Sequence, residues 1–416
     1  MALVVQKYGG TSVGSIERIQ AVAKRVVEAR KQGNLVVAVV SAMSGETDRL
    51  INLALKIAQY PRERELDMLM STGEQVSMAL LAIAIHEMGY EAKSLTGHQA
   101  RILTNRDHTK AKILCIETEK IMKELEDGKV VIVAGFQGCD DQGEITTLGR
   151  GGSDLSAVAL AASLKADVCE IYTDVDGVFT ADPNIVPEAT KIPKISYDEM
   201  MELAGLGAKV LQTRSVEFAK KYGVPIHVRS SFNNVEGTLV IGEDAEMESV
   251  LVRGVTCSKN EAKITITGVP DKPGIAAKIF SEISKANVMV DMIIQNVSEQ
   301  GKTDISFTVP KVESAKAVET IKKVSAELGI GEIKNDPKIA KLSVVGLGMR
   351  SHTGIASTMF STLADVGVNI LMISTSEIAI SCVIDTKFSE LSVRVLHEAF
   401  GLSNQEQGAP VATVKA

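Results

Sequence analysis

The C-terminal part of this 416-residue chain contains one sequence pattern twice, and this duplication restricts the possible folds more than any other feature. The stretch that begins at Gly268, GVPDKPGIAAKIFSEISKANVMVDMI, aligns without a gap with the stretch that begins 80 residues later at Gly348. In both copies a glycine, Gly274 or Gly354, precedes an apolar pattern with helical spacing. Predicted strands flank each copy. The sequence therefore predicts two α+β modules of ferredoxin-like type, each built from a strand, a helix and two further strands.

Upstream of the repeat, short β-branched runs alternate with longer amphipathic stretches. The runs LVVQK, LVVAVV, VVIVA, CEIYT and IHVRS are typical of strands. Between the first two, apolar residues recur at helical spacing after Ser15, a good N-cap. Ser196 and Glu199 form a capping box that opens another helix. This alternation predicts an α/β domain with a largely parallel sheet between helix layers, ending at the acidic passage 237–248.

The composition excludes several classes of protein. A formal net charge of −7, with no basic stripe, argues against a nucleic-acid-binding protein. Five scattered cysteines without C-x-x-C spacing indicate neither a disulfide framework nor a zinc knuckle, so we expect buried thiols in a reducing compartment. The N-terminus is too short for a signal peptide, and no apolar run has the length of a membrane span. We expect a soluble, cytoplasmic protein with small-molecule partners.

Two glycine-rich segments each follow a predicted strand and precede a helix. In KYGGTSVGS, Lys7 comes before Gly9 and Gly10, so the Walker order of glycines followed by lysine is absent. Glycines let backbone amides approach an anion, and the lysine adds a full positive charge. This pattern predicts a phosphate-binding loop, although a tight turn between strand and helix would need the same glycines.

The second segment is TTLGRGGSD, in which Arg150 precedes Gly151 and Gly152. The glycine amides and the helix start form a second anion site, and arginine can bind a carboxylate through two hydrogen bonds. Asp154 is either functional or simply the N-cap of the helix. Two anion sites in one domain indicate a nucleotide phosphate that faces an acidic substrate.

Other polar residues have two interpretations each from the sequence alone. Asp174 and Asp182 in YTDVDGVFTADPN could bind a metal or a ribose, but the turn interpretation is favoured for each. Glu74 in STGEQ either caps a helix, the favoured interpretation, or holds an ammonium group. Lys209 is a surface lysine or a phosphate contact. The six histidines show no metal-binding spacing and no Ser-His-Asp set, so a histidine-based mechanism is not expected.

The motifs KYGGTSV, SAMSGETDRL, STGEQVS, TTLGRGGSD, YTDVDGVFTADP and LGAKVLQTRSVEFA occur in this order before the two repeated modules. This ordered set closely resembles the aspartate kinase family over almost the whole chain. The resemblance implies an amino-acid-kinase fold for residues 1–245 and ACT domains at residues 250–335 and 336–416. It also implies ATP- and Mg²⁺-dependent phosphorylation of the β-carboxylate of L-aspartate, the first step toward lysine, threonine and methionine.

The resemblance also implies roles for individual residues, with no side chain assigned as a direct metal ligand. The expected catalytic residues are Lys7, Lys209 and Asp154, of which Asp154 organises the lysines and the metal around the phosphoryl group. Phe179 stands where many relatives have tyrosine, so only ring stacking is expected of it. The expected ATP-binding residues are Lys7, Tyr8, Gly9, Gly10, Ser41, Thr173, Asp174, Phe179, Thr180, Asp182, Lys209 and Val210. The expected aspartate-binding residues are Thr47, Glu74, Arg150, Gly151, Gly152 and Ser153.

The repeated modules are expected to bind an end-product amino acid. ACT domains commonly pair and inhibit the enzyme attached to them, so the resemblance implies feedback inhibition by lysine, threonine or both, and a homo-oligomer formed through these domains. Met247 could also start a separate regulatory chain. The expected effector-binding residues are Asp271, Gly274, Ile275, Ala276, Ala277, Gln295, Asn369, Ile370 and Thr375.

Two alternatives remain at this point. The same fold phosphorylates other acidic substrates, including acetylglutamate, glutamate, carbamate and UMP; Arg150 together with Glu74 favours a free amino acid that carries an ammonium group. A catalytically silent amino-acid sensor would keep only the repeated modules. The presence of Lys7, Arg150, Asp154 and Lys209 together favours the kinase, because a sensor has no need for residues that transfer a phosphoryl group.

Overall fold

A computed structural model describes residues 1–149, 151–207, 210–243, 251–296, 301–347, 349 and 354–404. Its internal contacts divide the chain into two units, neither of which is one continuous segment. Unit 1 consists of Met1–Val178, Lys191–Ala204 and Lys209–Glu248. Unit 2 consists of Phe179–Thr190, Gly205–Ala208 and Ser249–Ala416.

Unit 1 alternates strands and helices, as the sequence predicts. Its strands are Leu3–Tyr8 (β1), Leu35–Val40 (β2), Ala92–Leu95 (β3), Ile102–Thr104 (β4), Ile113–Ile116 (β5), Val130–Ala134 (β6), Gln137–Cys139 (β7), Ile145–Thr147 (β8), Val168–Thr173 (β9), Lys194–Ser196 (β10), Ile226–Ser230 (β11) and Thr238–Ile241 (β12). Its helices are Ile16–Lys31 (α1), Glu46–Ile57 (α2), Glu63–Glu87 (α3), Glu119–Glu126 (α4), Gly152–Leu164 (α5), Tyr197–Leu206 (α6), which ends in unit 2, and Thr213–Tyr222 (α7).

The main sheet has the strand order β10-β12-β11-β9-β1-β2-β6-β3. Its strands pair in parallel except for β11 with β12, which confirms the predicted, largely parallel sheet. The inner strands are almost continuously buried, as sheets covered by helices require. Because β1, β2 and β9 are adjacent and parallel, the residues that follow them meet at one edge, where ligands of open α/β sheets bind.

The predicted helix starts are confirmed. The side chain of Ser15 accepts a hydrogen bond from the amide of Arg18 at the start of α1. Ser196 and Glu199 form the predicted capping box, each accepting from the other's backbone amide at 3.2 and 3.1 Å. Both contacts satisfy amide groups that a helix start would otherwise leave unpaired.

Helix α3 is long and apolar enough, by length and composition, to cross a membrane, so the expectation that no apolar run has the length of a membrane span is wrong. Half of that apolar window is buried, and Met78, Leu81 and Ile85 join the core formed by α1 and the main sheet. The interior side of α3 also carries the buried carboxyl groups of Asp67 and Glu74. We therefore interpret α3 as a core helix of unit 1.

A second, small sheet in unit 1 has the order β5-β4-β7-β8. Strand β8 ends at Thr147, and the chain continues through Leu148 and Gly149 toward the start of α5. Of the five free cysteines, Cys139, Cys169 and Cys382 are buried as expected, whereas Cys257 is half-buried and Cys115 on β5 is exposed. This sheet therefore leads the chain directly into the second glycine-rich segment.

Unit 2 contains the two repeated modules. Its strands are Gly254–Ser258 (β13), Glu261–Pro270 (β14), Ile293–Gln295 (β15), Lys302–Pro310 (β16), Ile333–Asp336 (β17), Ile339–Val345 (β18), Ile370–Thr375 (β19) and Ala379–Asp385 (β20). Its helices are Ile275–Lys285 (α8), Ser314–Leu328 (α9), Ile355–Asp365 (α10) and Ser389–Ala399 (α11). Helices α8 and α10 begin and end 80 residues apart, which confirms the offset read from the sequence.

The modules differ from the predicted linear division at residue 335. One sheet has the order β15-β16-β14-β17, but the other, β13-β18-β20-β19, takes its first strand from before module 1. Strand β13 pairs antiparallel with β18, and Val255 packs with Leu342 and Val344. The chain therefore enters the sheet of the second module, builds the first module and then returns. The repeat does not include β13, so its alignment could not show this.

The segment from Phe179 to Thr190 packs with unit 2, although the predicted division placed it in the kinase domain. Ala181 and Val186 lie in the same apolar core as Val255 and Leu342. Thr180 is 1% exposed and its hydroxyl lies 2.9 Å from Nε2 of His397. The predicted boundary near residue 245 therefore does not describe the packing of this segment.

Candidate functional site

The first glycine-rich segment follows β1 at the carboxyl edge of the main sheet. The amide of Gly9 donates to the carbonyl of Tyr172 at 3.3 Å. A Cβ atom on Gly10 would lie 3.0 Å from the carbonyl oxygen of Ala42, so this close approach of two backbone segments favours glycine. The loop is thus held against the ends of both β9 and β2.

Lys7 and Asp154 meet at this edge. Lys7 Nζ lies 2.7 Å from Asp154 Oδ1, and the two side chains are only 12% and 11% exposed. This close contact of an ammonium group with a carboxylate is a charge-assisted ion pair that is largely shielded from water. The structure therefore brings a lysine and a carboxylate from the two glycine-rich segments into direct contact.

The second glycine-rich segment opens α5. Gly151 is the N-cap, with φ of 71°, a left-handed conformation that favours glycine. Asp154 lies in the first turn of the helix, so the N-cap interpretation of Asp154 is wrong. Ser153 packs closely on the main sheet, because a Cβ atom on Gly135 would lie 2.8 Å from its Oγ. Arg150 lies outside the described residues.

Glu74 is in the middle of α3, which runs from Glu63 to Glu87, so the interpretation as a helix cap is wrong. Its side chain is 3% exposed, and burial raises the pKa of its carboxyl group from 4.5 to about 7. Oε1 accepts a hydrogen bond from the amide of Ala42 at 3.3 Å, whereas Oε2 is buried and has no hydrogen-bond partner among the residues that the structure describes. An unpartnered buried carboxylate oxygen is the group that a ligand ammonium would satisfy.

Two further predicted residues follow β2. The amide of Ser41 donates to the carbonyl of Tyr8 at 3.0 Å, and this bond ties the end of β2 to the end of β1. Thr47 is half-buried in the first turn of α2. Ser41 and Thr47 therefore lie where the chain passes from β2 into α2, close in sequence to Ala42, whose amide donates to Glu74.

The predicted nucleotide residues fall in both units. In unit 1, Thr173 ends β9 and its hydroxyl donates to Asp174, while Val210 is half-buried and Lys209 lies outside the described residues. The side chain of Tyr8 is fully buried and stacks on Tyr172 with ring centroids 4.9 Å apart, so it is not available to a ligand.

In unit 2, Phe179 is half-buried and Asp182 is exposed. Asp182 accepts hydrogen bonds from the backbone amide and side chain of Asn184, which confirms the turn interpretation for this residue. The buried hydroxyl of Thr180 is occupied by His397 and by the amide of Thr190. Its side chain is therefore not available to a nucleotide in this structure.

The predicted effector residues lie at two places in unit 2. Asp271 is exposed in the turn before α8, and Gly274 is the N-cap of that helix with φ of 93°. Gln295 belongs to β15 and Thr375 to β19, which are edge strands of the two sheets. Met292 and Ile294 of the first module share an apolar cluster with Ile339, Met372 and Val383 of the second module's sheet.

Asp67 is a buried acidic residue that the sequence analysis did not single out. It is fully buried on α3. Ser71 follows it by four residues and Glu74 follows Ser71 by three, so the three side chains lie on one face of the helix. The helical spacing of these three polar residues in ELDMLMSTGEQVS could have indicated a buried polar face. The apolar residues between them make this pattern difficult to recognise from the sequence. Within the described residues, no group of three or more His, Cys, Asp or Glu side chains could hold a metal ion.

Comparisons with known proteins agree with this geometry. Residues 2–230 match the amino acid kinase family, and residues 264–324 and 342–400 match an ACT domain model. Aspartate kinase from Pseudomonas putida is 56% identical over 403 residues, which cover 97% of this chain and 98% of that protein. A crystal structure of aspartate kinase from Synechocystis is 45% identical with a TM-score of 0.55, covering 100% of this chain and 71% of that chain.

A second crystal structure, of E. coli aspartokinase III in complex with aspartate and ADP, is 25% identical with a TM-score of 0.81, covering 96% of this chain and 100% of that chain. Identity of one half over almost the full length, a matching kinase fold and two ACT domains agree with the order of motifs in the sequence. The chain belongs to the aspartate kinases of the amino acid kinase family.

Proposed function

We propose that the enzyme transfers the γ-phosphoryl group of ATP to the β-carboxylate of L-aspartate, giving 4-phospho-L-aspartate, at the site formed by Lys7 and Asp154. The observation that carries this proposal is their nearly buried ion pair at the carboxyl edge of the main sheet. Lys7 binds the transferred phosphoryl group, and the amides near Gly9 and Gly10 bind its oxygens. Asp154 holds the Lys7 ammonium in place.

The chemistry needs no general base. The β-carboxylate of aspartate is ionised at neutral pH and is already a nucleophile. One carboxylate oxygen forms a bond to the γ-phosphorus while the bond from that phosphorus to the β,γ-bridging oxygen breaks, and ADP leaves. The protein aligns two anions and stabilises the charge that develops between them. This agrees with the absence of a histidine from the predicted site.

Aspartate is recognised at both ends in this proposal. Glu74 receives the ammonium group on its free Oε2, and Arg150 binds a carboxylate. Thr47 and the segment Gly151 to Ser153 complete the pocket. The buried carboxylate of Glu74 favours a substrate with a free amine and disfavours acetylglutamate, carbamate and UMP, which have no ammonium group. Glutamate is distinguished from aspartate only by its length.

On the nucleotide side, the residues proposed to contact ATP are Ser41, Thr173, Asp174, Phe179, Asp182, Lys209 and Val210. The buried side chains of Tyr8 and Thr180 are left out of this set, because their rings or hydroxyls are already packed or hydrogen-bonded within the protein. Mg²⁺ fits this site as an ion that the phosphates of ATP would hold beside the nearly buried carboxylate of Asp154, which would organise the lysine and the metal without being assigned as a direct ligand. Bound there, Mg²⁺ would neutralise charge on the β- and γ-phosphates.

Unit 2 is proposed to be a feedback sensor for lysine, threonine or both. Its effector site is proposed to involve Asp271, Gly274 to Ala277 and Gln295 in the first module and Asn369, Ile370 and Thr375 in the second. Because the segment Phe179 to Thr190 packs in the same unit, a bound effector would change the packing of the unit that contains Phe179 and Asp182.

We further propose that the enzyme is a cytoplasmic homo-oligomer and that it catalyses the first step in the biosynthesis of lysine, threonine and methionine.

A test of the proposal uses hydroxylamine, which converts an acyl phosphate to a stable hydroxamate. The purified protein is incubated with Mg-ATP, hydroxylamine and L-aspartate, L-glutamate or acetylglutamate, and then with lysine and threonine singly and together. Hydroxamate formed only with aspartate, and suppressed by one or both effectors, is the expected result. Hydroxamate with another substrate would reassign the pocket. Saturable binding of lysine or threonine without any turnover would identify a silent sensor.

A further inference from the structure

Asp67 is a fully buried carboxylate that accepts hydrogen bonds from three residues. Its Oδ2 accepts from Nδ1 of His108 at 2.8 Å and from the amide of Thr109 at 2.9 Å. Its Oδ1 accepts from the hydroxyl of Thr147 at 2.5 Å. A buried carboxylate is costly unless hydrogen bonds replace its water, so these contacts fix the side chain firmly.

The three donors come from two segments of the small sheet, one of which leads to the second glycine-rich loop. His108 and Thr109 lie between β4 and β5, and Thr147 is the last residue of β8. The carbonyl of Thr147 also accepts from the amide of Ala111, so the two segments are joined to each other as well. Asp67 therefore attaches α3 to the strand from which the loop emerges.

The path from Thr147 to α5 is short and tightly packed. Leu148 is fully buried, its amide donates to the carbonyl of Phe136 at 2.9 Å and its carbonyl accepts from Arg214 at 3.1 Å. Gly149 has φ of 82°, and a Cβ atom there would lie 3.2 Å from the carbonyl oxygen of Thr109. The amide of Gly152 donates to the carbonyl of Gly149. A displacement at Thr147 would therefore reach the start of α5 within five residues.

Glu74 lies on the same buried face of the same helix. Two turns separate Asp67 from Glu74, which is about 10 Å along the axis. In between, the carbonyl of Ser71 accepts from Gln137, which belongs to the same small sheet as Thr147. One rigid helix thus holds the proposed ammonium-binding carboxylate and, through Asp67, the loop proposed to bind a substrate carboxylate.

We infer that Asp67 is a positioning residue for aspartate: through Thr147 it sets the distance between Glu74 and the loop that begins at Gly149. This inference rests on the proposed aspartate pocket. It differs from a purely structural role, which would lower stability without changing the affinity for one substrate. A positioning role changes the KM for aspartate and leaves the KM for ATP unchanged.

The test compares variants that remove one buried hydroxyl each. Thr147→Val removes the bond to Asp67 with little change of shape, and Thr147→Ser keeps it. Thr104→Val is the matched control, because Thr104 is buried in the same small sheet and its hydroxyl bonds to Thr146 rather than to Asp67. Asp67→Asn tests the other partner. Steady-state KM values for aspartate and ATP, kcat and thermal unfolding are measured for each full-length variant.

We expect Thr147→Val and Asp67→Asn to raise the KM for aspartate about 5- to 30-fold, the range expected when a buried hydrogen bond is lost. The KM for ATP should stay within about twofold, and Thr147→Ser should restore the wild-type KM. Equal aspartate KM values in Thr147→Val and Thr104→Val would overturn the inference. An Asp67→Asn protein that does not fold leaves the Thr147 pair to decide.

Two further variants separate this inference from the proposed pocket. Glu74→Gln and Arg150→Ala remove the proposed direct contacts with aspartate. If both raise the KM for aspartate while Thr147→Val does not, only the role of Asp67 is wrong. If neither raises it, the pocket itself is wrong and the inference falls with it.

Discussion

Lys7 Nζ lies 2.7 Å from Asp154 Oδ1, although the two residues belong to β1 and α5 and to different glycine-rich segments. The pair is nearly buried, so each charge depends on the other for its compensation. The ion pair also places the ammonium group beside the amides of the first glycine-rich loop. We therefore expect the Lys7–Asp154 ion pair to affect both the stability of the fold at this edge of the sheet and the proposed phosphoryl transfer.

Replacing Lys7 with alanine is expected to lower kcat on the order of 10²- to 10³-fold, as for the loss of one preorganised charge-stabilising donor. The hydroxamate assay measures this directly. Because Asp154 would remain buried without its partner, we also expect a loss of about 3 kcal/mol in the free energy of unfolding. Unchanged kcat in folded Lys7→Ala would remove Lys7 from the mechanism.

A surface control and a paired variant separate these two effects. Lys120→Ala removes an exposed lysine on α4 and should change neither kcat nor stability. The Lys7→Ala/Asp154→Ala double variant should recover part of the lost stability, because no unpaired charge remains, while kcat stays low. Recovery of kcat in the double variant would show that the ion pair matters only for folding.

Glu74→Gln is expected to raise the KM for aspartate about 10- to 100-fold, since a charge-assisted hydrogen bond to the substrate ammonium is lost. In the wild type, burial raises the pKa of Glu74 to about 7, so protonation below that pH should raise the KM for aspartate as well. The variant should show no such dependence. Parallel pH profiles for the two proteins between pH 6 and 8 would contradict the assignment.

The same group affects the stability of the ligand-free enzyme. The pKa of Glu74 is raised from 4.5 to about 7, so the folded state holds a proton that the unfolded state has released. Stability from this group is complete below pH 4.5 and is lost as the pH rises through 7, on the order of 3 kcal/mol in total. The unfolding temperature of Glu74→Gln should therefore rise relative to that of the wild type as the pH increases from 5 to 8. Saturating aspartate should reduce this difference.

Local signals in the sequence predicted much of this architecture. The strand periodicity, the N-cap Ser15, the capping box at Ser196 and the repeat that gives α8 and α10 depend on residues close together in the chain. The resemblance to the aspartate kinases, which the comparisons confirm, rested on six short motifs in order. Such features depend on the spacing of residues along the chain, which can be read from the sequence without knowledge of the fold.

The errors concern contacts between distant segments. The sequence allows a capping role for both Glu74 and Asp154, because an acidic residue near a predicted helix start has the same local pattern whether it caps or not. In the structure Glu74 contacts Ala42 and Asp154 contacts Lys7, and only the fold brings these residues near each other. Likewise, the pairing of β13 with β18 required a partner strand far along the chain.

Asp271→Ala is expected to weaken inhibition by the effector at least about tenfold while leaving uninhibited activity near the wild-type value. Asp271 is exposed in the turn before α8, where its carboxylate can attract the ammonium group of an amino acid without supporting the core. Dose-response curves with lysine and threonine, singly and together, measure the change. Asp365→Ala, which removes another exposed acidic residue of unit 2, is the control; equal inhibition of Asp271→Ala and wild type would reject the assignment.

His397 is expected to make unit 2 sensitive to acid. It is 1% exposed on α11, its Nε2 lies 2.9 Å from the hydroxyl of Thr180, and burial lowers its pKa below 6.5 despite the nearby charge of Glu188. The folded state therefore holds His397 neutral while the unfolded state takes up a proton below about pH 6.5. The stability from this group is present above that pH and is lost as the pH falls.

The measurement is thermal unfolding of the wild type and His397→Gln at pH 8, 6 and 5. Glutamine can still form a hydrogen bond with Thr180 but does not titrate. The variant should therefore lose less stability than the wild type between pH 8 and 5, even if it is less stable at pH 8. His227 in unit 1 also has a pKa lowered by burial. Since His227 is present in both proteins, its contribution cancels in the difference between them. Identical losses in the two proteins would show that His397 stays accessible to protons in the folded state.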